Sequence, residues 1–595
     1  MLDLGSYLLG AAELALVALS LGFSAYRLRR RLMPSWDGAP ARLIEAIVAV
    51  ALLTWISELL GTFGLLYGGT LVGACALAAG TIALWPAGPV GAASPTVLGG
   101  GAASAPRGTP APPPPTGERL WRLLIMVGVV AVVVGHWAIT TKHALDRGVF
   151  NFDSLWYHLP FAADIAQSHS VTGMHHVDTV FTNWFYPQNS ELLHADGMLL
   201  IGRDTLSLFL NYGWLLVAFL AAWCIGRPYG RGDLSVVAAA ILLEAHVLVV
   251  REPGAAKNDL MAAALTLAAI AILVTAWNAT RSEEGRRSLP VGWPLAVAGL
   301  AIGLAAGTKV TALAMAAALS LAVLLLAPTG RRWVAAAWWF LPALLAGGFW
   351  YLRNLVVAGN PEPAIESLGP ISLPHPERLQ IGRPDFSIAH YATDTGVWRH
   401  YFVPGLHDAF GALWPLVIGG AVLAALLALL KGRDRIVRAA GAVVLFGFLA
   451  YLFTPLSAAG ADGAPKAFGI NLRYVYGAVL GGLALVPLPR LFDDRRRQWW
   501  LLGALLVVLL LSDRADAVLH DPGRLFALLL VALAVLVPAA LLLARGRGAG
   551  RGTVAAGFAV LALAVVAIGY PVQRHYLDER FRNEVADESI PGMHL

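Results

Sequence analysis

The sequence predicts an all-α polytopic membrane protein of about sixteen transmembrane helices, with short interfacial helices in its first large outer loop. Three observations lead there. Of 595 residues, 58% are hydrophobic and only 13% are charged, against about 25% charged in a soluble globular domain. The mean hydropathy of +0.67 is gathered into many apolar runs of about 20 residues, the length that crosses a hydrocarbon core. Arginines recur in alternate loops, as the positive-inside bias requires.

The apolar runs fall at roughly 7–26, 43–65, 70–87, 120–141, 205–226, 234–251, 259–278, 290–307, 310–327, 333–357, 411–430, 439–454, 474–489, 498–512, 524–544 and 553–570. The Arg-rich loops are RLRRR (27–31), RPYGR (227–231), RSEEGRR (281–287), RR (331–332), KGRDRIVR (431–438), RLFDDRRR (490–497) and RGRGAGR (545–551). Placing all of them in the cytoplasm closes without conflict and puts both termini outside. No cleavable signal peptide is expected, because the first run is long, lacks a basic segment before it and ends in RLRRR. Cys75 and Cys224 lie inside apolar runs, so buried inert thiols are expected rather than a disulfide or a metal site. The net charge of +6 is spread over short loops and forms no nucleic-acid patch. The excess of arginine over lysine and the abundant alanine suggest a bacterial plasma-membrane protein from a GC-rich genome.

Composition also divides the chain. Residues 1–87 form a three-span unit, and 88–118 a Pro/Gly/Ala cytoplasmic linker that cannot bury enough apolar surface to fold. Residues 119–490 form the transmembrane core, with outer loops 142–204 and 358–410. Residues 491–570 hold additional spans, and 571–595 an outer polar tail.

In the first outer loop, FNFDSLWYHLP (150–160) sets one carboxylate, Asp153, among aromatic residues at the mouth of a span. Residues 154–168 read as an interfacial helix with Leu155, Leu159, Ala162 and Ala166 on one stripe and Asp164 opposite; Pro160 marks its start or a kink. A second helix is expected at 190–201, capped by Asn189 or Ser190. Asp153 reads either as a helix cap or as a general base at the lipid–water boundary, where a polar acceptor and a lipid head group meet.

An acidic residue just after a span, followed by an aromatic interfacial helix, resembles the first outer loop of the GT-C superfamily of membrane glycosyltransferases. FDSLWYHLPFAADI is similar to that loop in the protein O-mannosyltransferase-like and lipid A aminoarabinose-transferase-like branch. YPQNSELLH (186–194), KNDLMAAALTLAA (257–269), GTKVTALA (307–314), WYLRNLVVAGNPEP (350–363) and NLRYVYGA (471–478) extend the resemblance over about 120–490. It implies a GT-C type helical bundle that takes a sugar from a polyprenyl-phosphate donor and hands it, with inversion, to a hydroxyl on a glycan, lipid or protein acceptor at the outer face.

The resemblance makes Asp153 the catalytic base and Asp259 a second acidic candidate, whose other reading is a first-turn helix charge beside an Asn258 cap. Lys257, Lys309, Arg353 and Arg473 become candidates for the donor phosphate, whose departure gathers negative charge. Four of the five lysines (Lys142, Lys257, Lys309 and Lys466) fall on the expected outer side. Lys309, in an apolar run, calls for a partner, since a mid-span charge costs about 2.5–3.5 kcal/mol. Trp156, Tyr157, His158, Tyr186 and Glu191 are the candidate sugar or acceptor contacts; the aromatic rings read equally well as an interface belt, with Trp184. Ser154 stands where many relatives carry a second acid, so no metal or other cofactor is expected, a divalent ion being the less favoured reading. His158, His175, His176 and His194 lack metal-ligand spacing. Glu244 in ILLEAHVLVV, an ionisable group inside a span, reads equally well as a site candidate or as the partner of His246 or of an arginine on another helix. DTGVWRHYFVPG (394–405), in the second large loop, receives no residue-level role.

A transporter or flippase for lipid-linked saccharides is the alternative from another class, and a glycan ligase or polymerase another. A transporter places its site at the midplane, in repeated halves, whereas here no internal repeat is evident and the polar features collect in outer loops.

Overall fold

In the computed structural model the described residues are 3–85, 116–173, 183–279, 288–375, 386–512, 521–546 and 549–580. Most of the linker 88–118, the pair His175–His176, RSEEGRR and the end of the tail lie outside them. All sixteen predicted apolar stretches coincide with helices. Ten helices are long and apolar enough to cross a membrane, and a bent pair, Thr329–Gly347 with Phe349–Ala358 at 63°, makes an eleventh candidate. Gly68–Leu84, Gly232–Leu243, Trp293–Ala306 and Ala312–Leu326 are apolar but shorter. Among the described residues the full-length crossings by this measure number ten or eleven, fewer than the sixteen expected, because several of the apolar stretches form helices too short to cross alone.

Chain order begins with α1 (Leu4–Leu32), α2 (Gly38–Thr62), α3 (Gly68–Leu84) and α4 (Thr116–Arg147). A π-turn, Ser154–His158, leads into α5 (Leu159–Ser168), then α6 (Asn189–Ile201). Next come α7 (Leu210–Gly226), α8 (Gly232–Leu243), α9 (His246–Val249), α10 (Asp259–Ala279), α11 (Trp293–Ala306), α12 (Ala312–Leu326), α13 (Arg332–Gly347) and α14 (Phe349–Ala358). After a two-stranded hairpin, Ser367–Leu368 with Ile371–Ser372, follow α15 (Val403–Phe410), α16 (Trp414–Lys431) and α17 (Arg435–Phe453). The last are α18 (Phe468–Leu485), α19 (Arg495–Ser512), α20 (Arg524–Gly546) and α21 (Arg551–Glu579).

The core is centred on α10, buried along nearly its whole length and enclosed by α7, α11 and α18. Without a hydrophobic drive in lipid, helices associate where small residues let backbones meet. Gly299, Gly303 and Gly307 recur every fourth residue toward α13, where a Cβ on any of them would collide with the backbone of Trp339, Ala343 or Gly347. That contact fixes α11, and with it the non-helical 307–311 segment that carries Lys309.

The three N-terminal helices buttress the first loop. Val17, Leu21, Leu66, Leu71 and Cys75 form one buried cluster with Ala162, Ile165, Leu192, Ala195 and Trp350, and Ser57 donates to Asp196 at 2.9 Å. Helix α6 is therefore buried from Asn189 to Gly197, not laid in an interface as its composition suggested. The expected caps differ as well: Gln188 precedes α6 without a side-chain capping bond. Asn189 instead accepts from Trp350 Nε1 at 2.7 Å and donates to the carbonyls of Leu304 and Ala346. Glu244 pairs with His136 on α4. The expected tail begins inside α21, which runs to Glu579 and returns to the first loop, where Tyr576 and Arg580 both donate to Asp204, at 2.9 and 2.6 Å.

Candidate active site

Four irregular points of backbone converge on one charged cluster. Asp153 precedes the π-turn, a distortion that recurs at functional sites. Its backbone is helical and its carboxylate makes no capping bond; it accepts instead from Arg473 Nη1. Lys257 Nζ bridges the two acids, 3.2 Å from Asp153 Oδ2 and 3.4 Å from Asp259 Oδ2. Lys309, from the break between α11 and α12, pairs with Asp259 and reaches Asn258 Oδ1 at 3.3 Å. Broken helices inside a membrane protein survive where their backbone is buried in protein or lines a cavity, and both conditions hold here. The Asn258 side chain donates to Thr308 O at 3.2 Å, tying the start of α10 to the same break.

Three cations thus face two carboxylates, leaving one positive charge in excess. The side chains of Asp153, Arg473 and Lys309 are 12–14% exposed, whereas Lys257 and Asp259 are only 2% and 1% exposed. A ligand can therefore touch the first three, while the last two sit behind and set their geometry. Burial opposes the charge on Asp153, but Arg473 and Lys257 more than offset it and hold the carboxyl well below the usual carboxylate range. Asp153 is ionised at neutral pH and, in this state, weakly basic.

Alongside lies a cleft of about 510 Å³ lined by Asp259, Lys309, Arg473 and Tyr474 and then by small or apolar residues, among them Ala262, Ala312, Met315, Gly447, Ala450 and Ala478. Helices α10, α12 and α18 all start near the charges and run away from them, so the cleft grades from charged to apolar along its length.

The predicted residues do not all meet. Arg353 is separate: it donates to Trp184 O at 2.7 Å and stacks between Trp184 and Trp350, with ring centroids 5.3 and 4.9 Å away. It holds the 183–185 turn, together with Asn354, which donates to Phe185 O. His158 and Glu191 are 1% and 2% exposed and bond each other through Nδ1, so neither presents an open surface to a sugar. Tyr157 is buried, its ring 4.0 Å from His158 and 6.2 Å from Tyr186; burial, then the charge of Asp153, pushes its hydroxyl up. Trp156, half-buried, packs on Phe152 and Tyr157.

Two residues escaped sequence reasoning. The Tyr474 ring lies 5.4 Å from both Lys309 Nζ and Arg473 Cζ, a cation–π platform that joins the two cations facing the cleft. It follows Arg473 directly in NLRYVYGA, so the motif contained the signal. Glu252 is 1% exposed and held by Asn211. Burial, then the nearby Asp259, raises its carboxyl to about 7. Only its position five residues before Lys257 could have pointed to it. Among the described residues no group of three or more His, Cys, Asp or Glu side chains gathers as a metal site.

Fold and site together define a polytopic helical membrane protein with a cationic, two-carboxylate centre at the head of a cleft lined by small and apolar residues. No family model matches the chain, and no curated protein does. It is similar in structure to ArnT from Cupriavidus metallidurans bound to undecaprenyl phosphate, with 17% identity, a TM-score of 0.42 and coverage of 81% of this chain and 82% of that one. The same protein in its apo state matches with a TM-score of 0.40. An oligosaccharyltransferase from Archaeoglobus fulgidus, in complex with Zn and sulfate, matches at 14% identity and a TM-score of 0.33, over 67% of this chain and 53% of that one. These neighbours are GT-C glycosyltransferases, the superfamily the loop motifs resemble.

Proposed function

We propose that this chain is an inverting glycosyltransferase, moving a sugar from a polyprenyl-phosphate donor to a hydroxyl acceptor at the non-cytoplasmic face, with Asp153 as general base. The observation that carries this reading is the ion pair between Asp153 and Arg473 beside a cleft that grades from charged to apolar. An isoprenoid phosphate is itself a charged head on a long apolar tail. Lys309 and Arg473 take the phosphate, Tyr474 keeps the two cations together, and the small residues beyond admit the chain.

The same pair supplies a sequence of events. While Arg473 and Lys257 hold Asp153, its carboxylate is a poor base, because efficient proton transfer needs a pKa nearer the working pH. A donor phosphate competes for Arg473, relieves part of that hold and raises the basicity of Asp153 at the moment an acceptor hydroxyl has to be deprotonated. The hydroxyl oxygen then attacks the anomeric carbon as the bond to the phosphate oxygen breaks. The proton passes to Asp153, and the new charge on the polyprenyl phosphate meets Lys309 and Arg473. Asp259 and Lys257 position those groups. Each carboxylate is already held by two cations, an arrangement that suits an anion better than a divalent ion, which favours several free oxygen ligands; the reaction is therefore proposed to run without metal.

The test is purified protein in lipid, incubated with a panel of polyprenyl-phosphate sugars and acceptors. Free polyprenyl phosphate and the anomeric configuration of the product are followed. Release with inversion supports the proposal. Transbilayer movement of intact donor, with no release across the panel, would replace it with transport.

A further inference from the structure

A second cavity, about 920 Å³ in volume, lies between the end of α9, the start of α15 and the segment leading into α18; Arg251, His400, Tyr401, Asp408 and Lys466 are among its lining residues. It is larger than the donor cleft and has a different character. Among the described residues the side chains of Arg251 and Lys466 make no hydrogen bond or ion pair, and neither does Asp408. Asp408 and Lys466 are exposed and Arg251 is half-buried, so all three are available to a ligand in this space. The site cluster uses each of its carboxylates twice.

The placement of this cavity relates it to the reaction. Residues 465–470 line it, and Arg473, Tyr474, Gly477 and Ala478, a few residues on, line the donor cleft. One short segment thus borders both spaces, with the Arg473–Asp153 pair projecting from it. On the opposite wall, Arg251 immediately precedes Glu252 and the strand of chain that delivers Lys257 and Asp259. The loop that sequence analysis left without a role, DTGVWRHYFVPG, supplies His400 and Tyr401 to the same space.

We infer that this cavity is the acceptor site and that its ligand is a hydroxyl-bearing molecule carrying an anionic group, a phosphate or a carboxylate. The inference rests on the transferase reading above. Arg251 and Lys466 meet the anionic group from opposite walls, where charge-assisted bonds are the strong ones. Asp408 accepts from hydroxyls and Tyr401 donates to them, in a space that shares the segment leading to Arg473 with the donor cleft. An acceptor without an anionic group would forgo those charge-assisted bonds, so the cavity favours one that carries it.

The test uses the full chain in nanodiscs made of zwitterionic lipid, with binding read by calorimetry. Glycerol 3-phosphate is the soluble anionic probe, phosphatidylglycerol added to the disc is the lipid-borne one, glycerol the neutral control, and farnesyl phosphate the probe of the donor cleft. The expected result is that one of the two anionic probes binds, that glycerol does not, and that Arg251→Gln combined with Lys466→Gln weakens the anionic probe at least tenfold while farnesyl phosphate binds as before. Which anionic probe binds tells a soluble acceptor from a lipid-borne one. Should the double variant lose farnesyl phosphate as well, Lys466→Glu, at an exposed position, is measured alone and is expected to show the selective loss. Equal binding of the anionic probes by wild type and variants, or binding of neither while farnesyl phosphate binds, overturns the inference. Selective loss of the anionic probe in a protein that never binds farnesyl phosphate would keep the anion site and remove the transferase reading.

Discussion

The Arg473 guanidinium donates to the carboxylate of Asp153 across 320 residues of sequence, closing the start of the first loop onto the start of α18. The contact does two things: it holds Asp153 ionised and it keeps Asp153 weakly basic. Its strength is therefore a control on reactivity.

Removing that guanidinium should move the pH dependence in a defined direction. In wild type the carboxyl of Asp153 is held below the usual range, so the acid limb of kcat/KM lies below the ordinary aspartate value of about 3.9. Arg473→Gln deletes the larger of the two opposing charges and lets the pKa rise, shifting the acid limb to higher pH. The same variant loses about 10²–10³ in kcat, as expected when a charge-stabilising donor is removed. An acid limb that stays in place would break the link between the pair and the base.

The behaviour of Lys309 and Asp259 should be non-additive. Lys309→Gln leaves a carboxylate that is 1% exposed with Lys257 as its remaining cation, and breaking a buried pair costs about 3–5 kcal/mol. Adding Asp259→Asn removes the stranded charge. Thermal unfolding should find the double variant more stable than Lys309→Gln alone, with transfer activity lost in both.

Cleft shape gives a prediction independent of charge. A Cβ on Gly447 would already stand 3.1 Å from Ala478 and 3.2 Å from Met315, so Gly447→Leu projects into the apolar stretch of the cleft. Affinity for long-chain polyprenyl phosphate should fall at least tenfold, while the charged cluster keeps its geometry. Unchanged binding of the long-chain lipid would place the tail elsewhere.

Between the N-terminal helices and α6 the prediction concerns stability. Burial raises the carboxyl of Asp196 to about 8, with the Ser57 hydroxyl working against that rise. A carboxyl whose folded pKa exceeds its unfolded value contributes stability that is full below the unfolded pKa and is lost as pH rises through the folded one. Hydrogen exchange across α2 and α6 should therefore gain an added pH dependence between about pH 4 and pH 8 that levels off above it, and Asp196→Asn should remove that added dependence.

Much of this architecture is written in local patterns. Apolar run length located the helices, because in lipid the backbone must satisfy its own hydrogen bonds within each segment. Asp153 and Lys309 stood out as charges in apolar settings, whereas Lys257, Asp259 and Arg473 became candidates through the family resemblance. Contacts that depend on the third dimension were not visible. Arg353 carries the same charge as Arg473, yet its neighbours Trp184 and Trp350 claim it, and no spacing rule distinguishes the two. Glu191 and His158 look like exposed loop polars in sequence; the cover supplied by the N-terminal helices, separated from them by a linker, buries both. The second cavity is assembled from three distant segments and leaves no periodic signature at all.

The most direct measurement compares wild type with Asp153→Asn in lipid, reading donor binding and polyprenyl phosphate release on the same samples. Asp153→Asn should bind donor phosphate at least as well as wild type, because a carboxylate competing for Arg473 has gone, and should release product about 10²–10⁴-fold more slowly. Release at the wild-type rate from a variant that binds donor would contradict the assignment of Asp153 as the base.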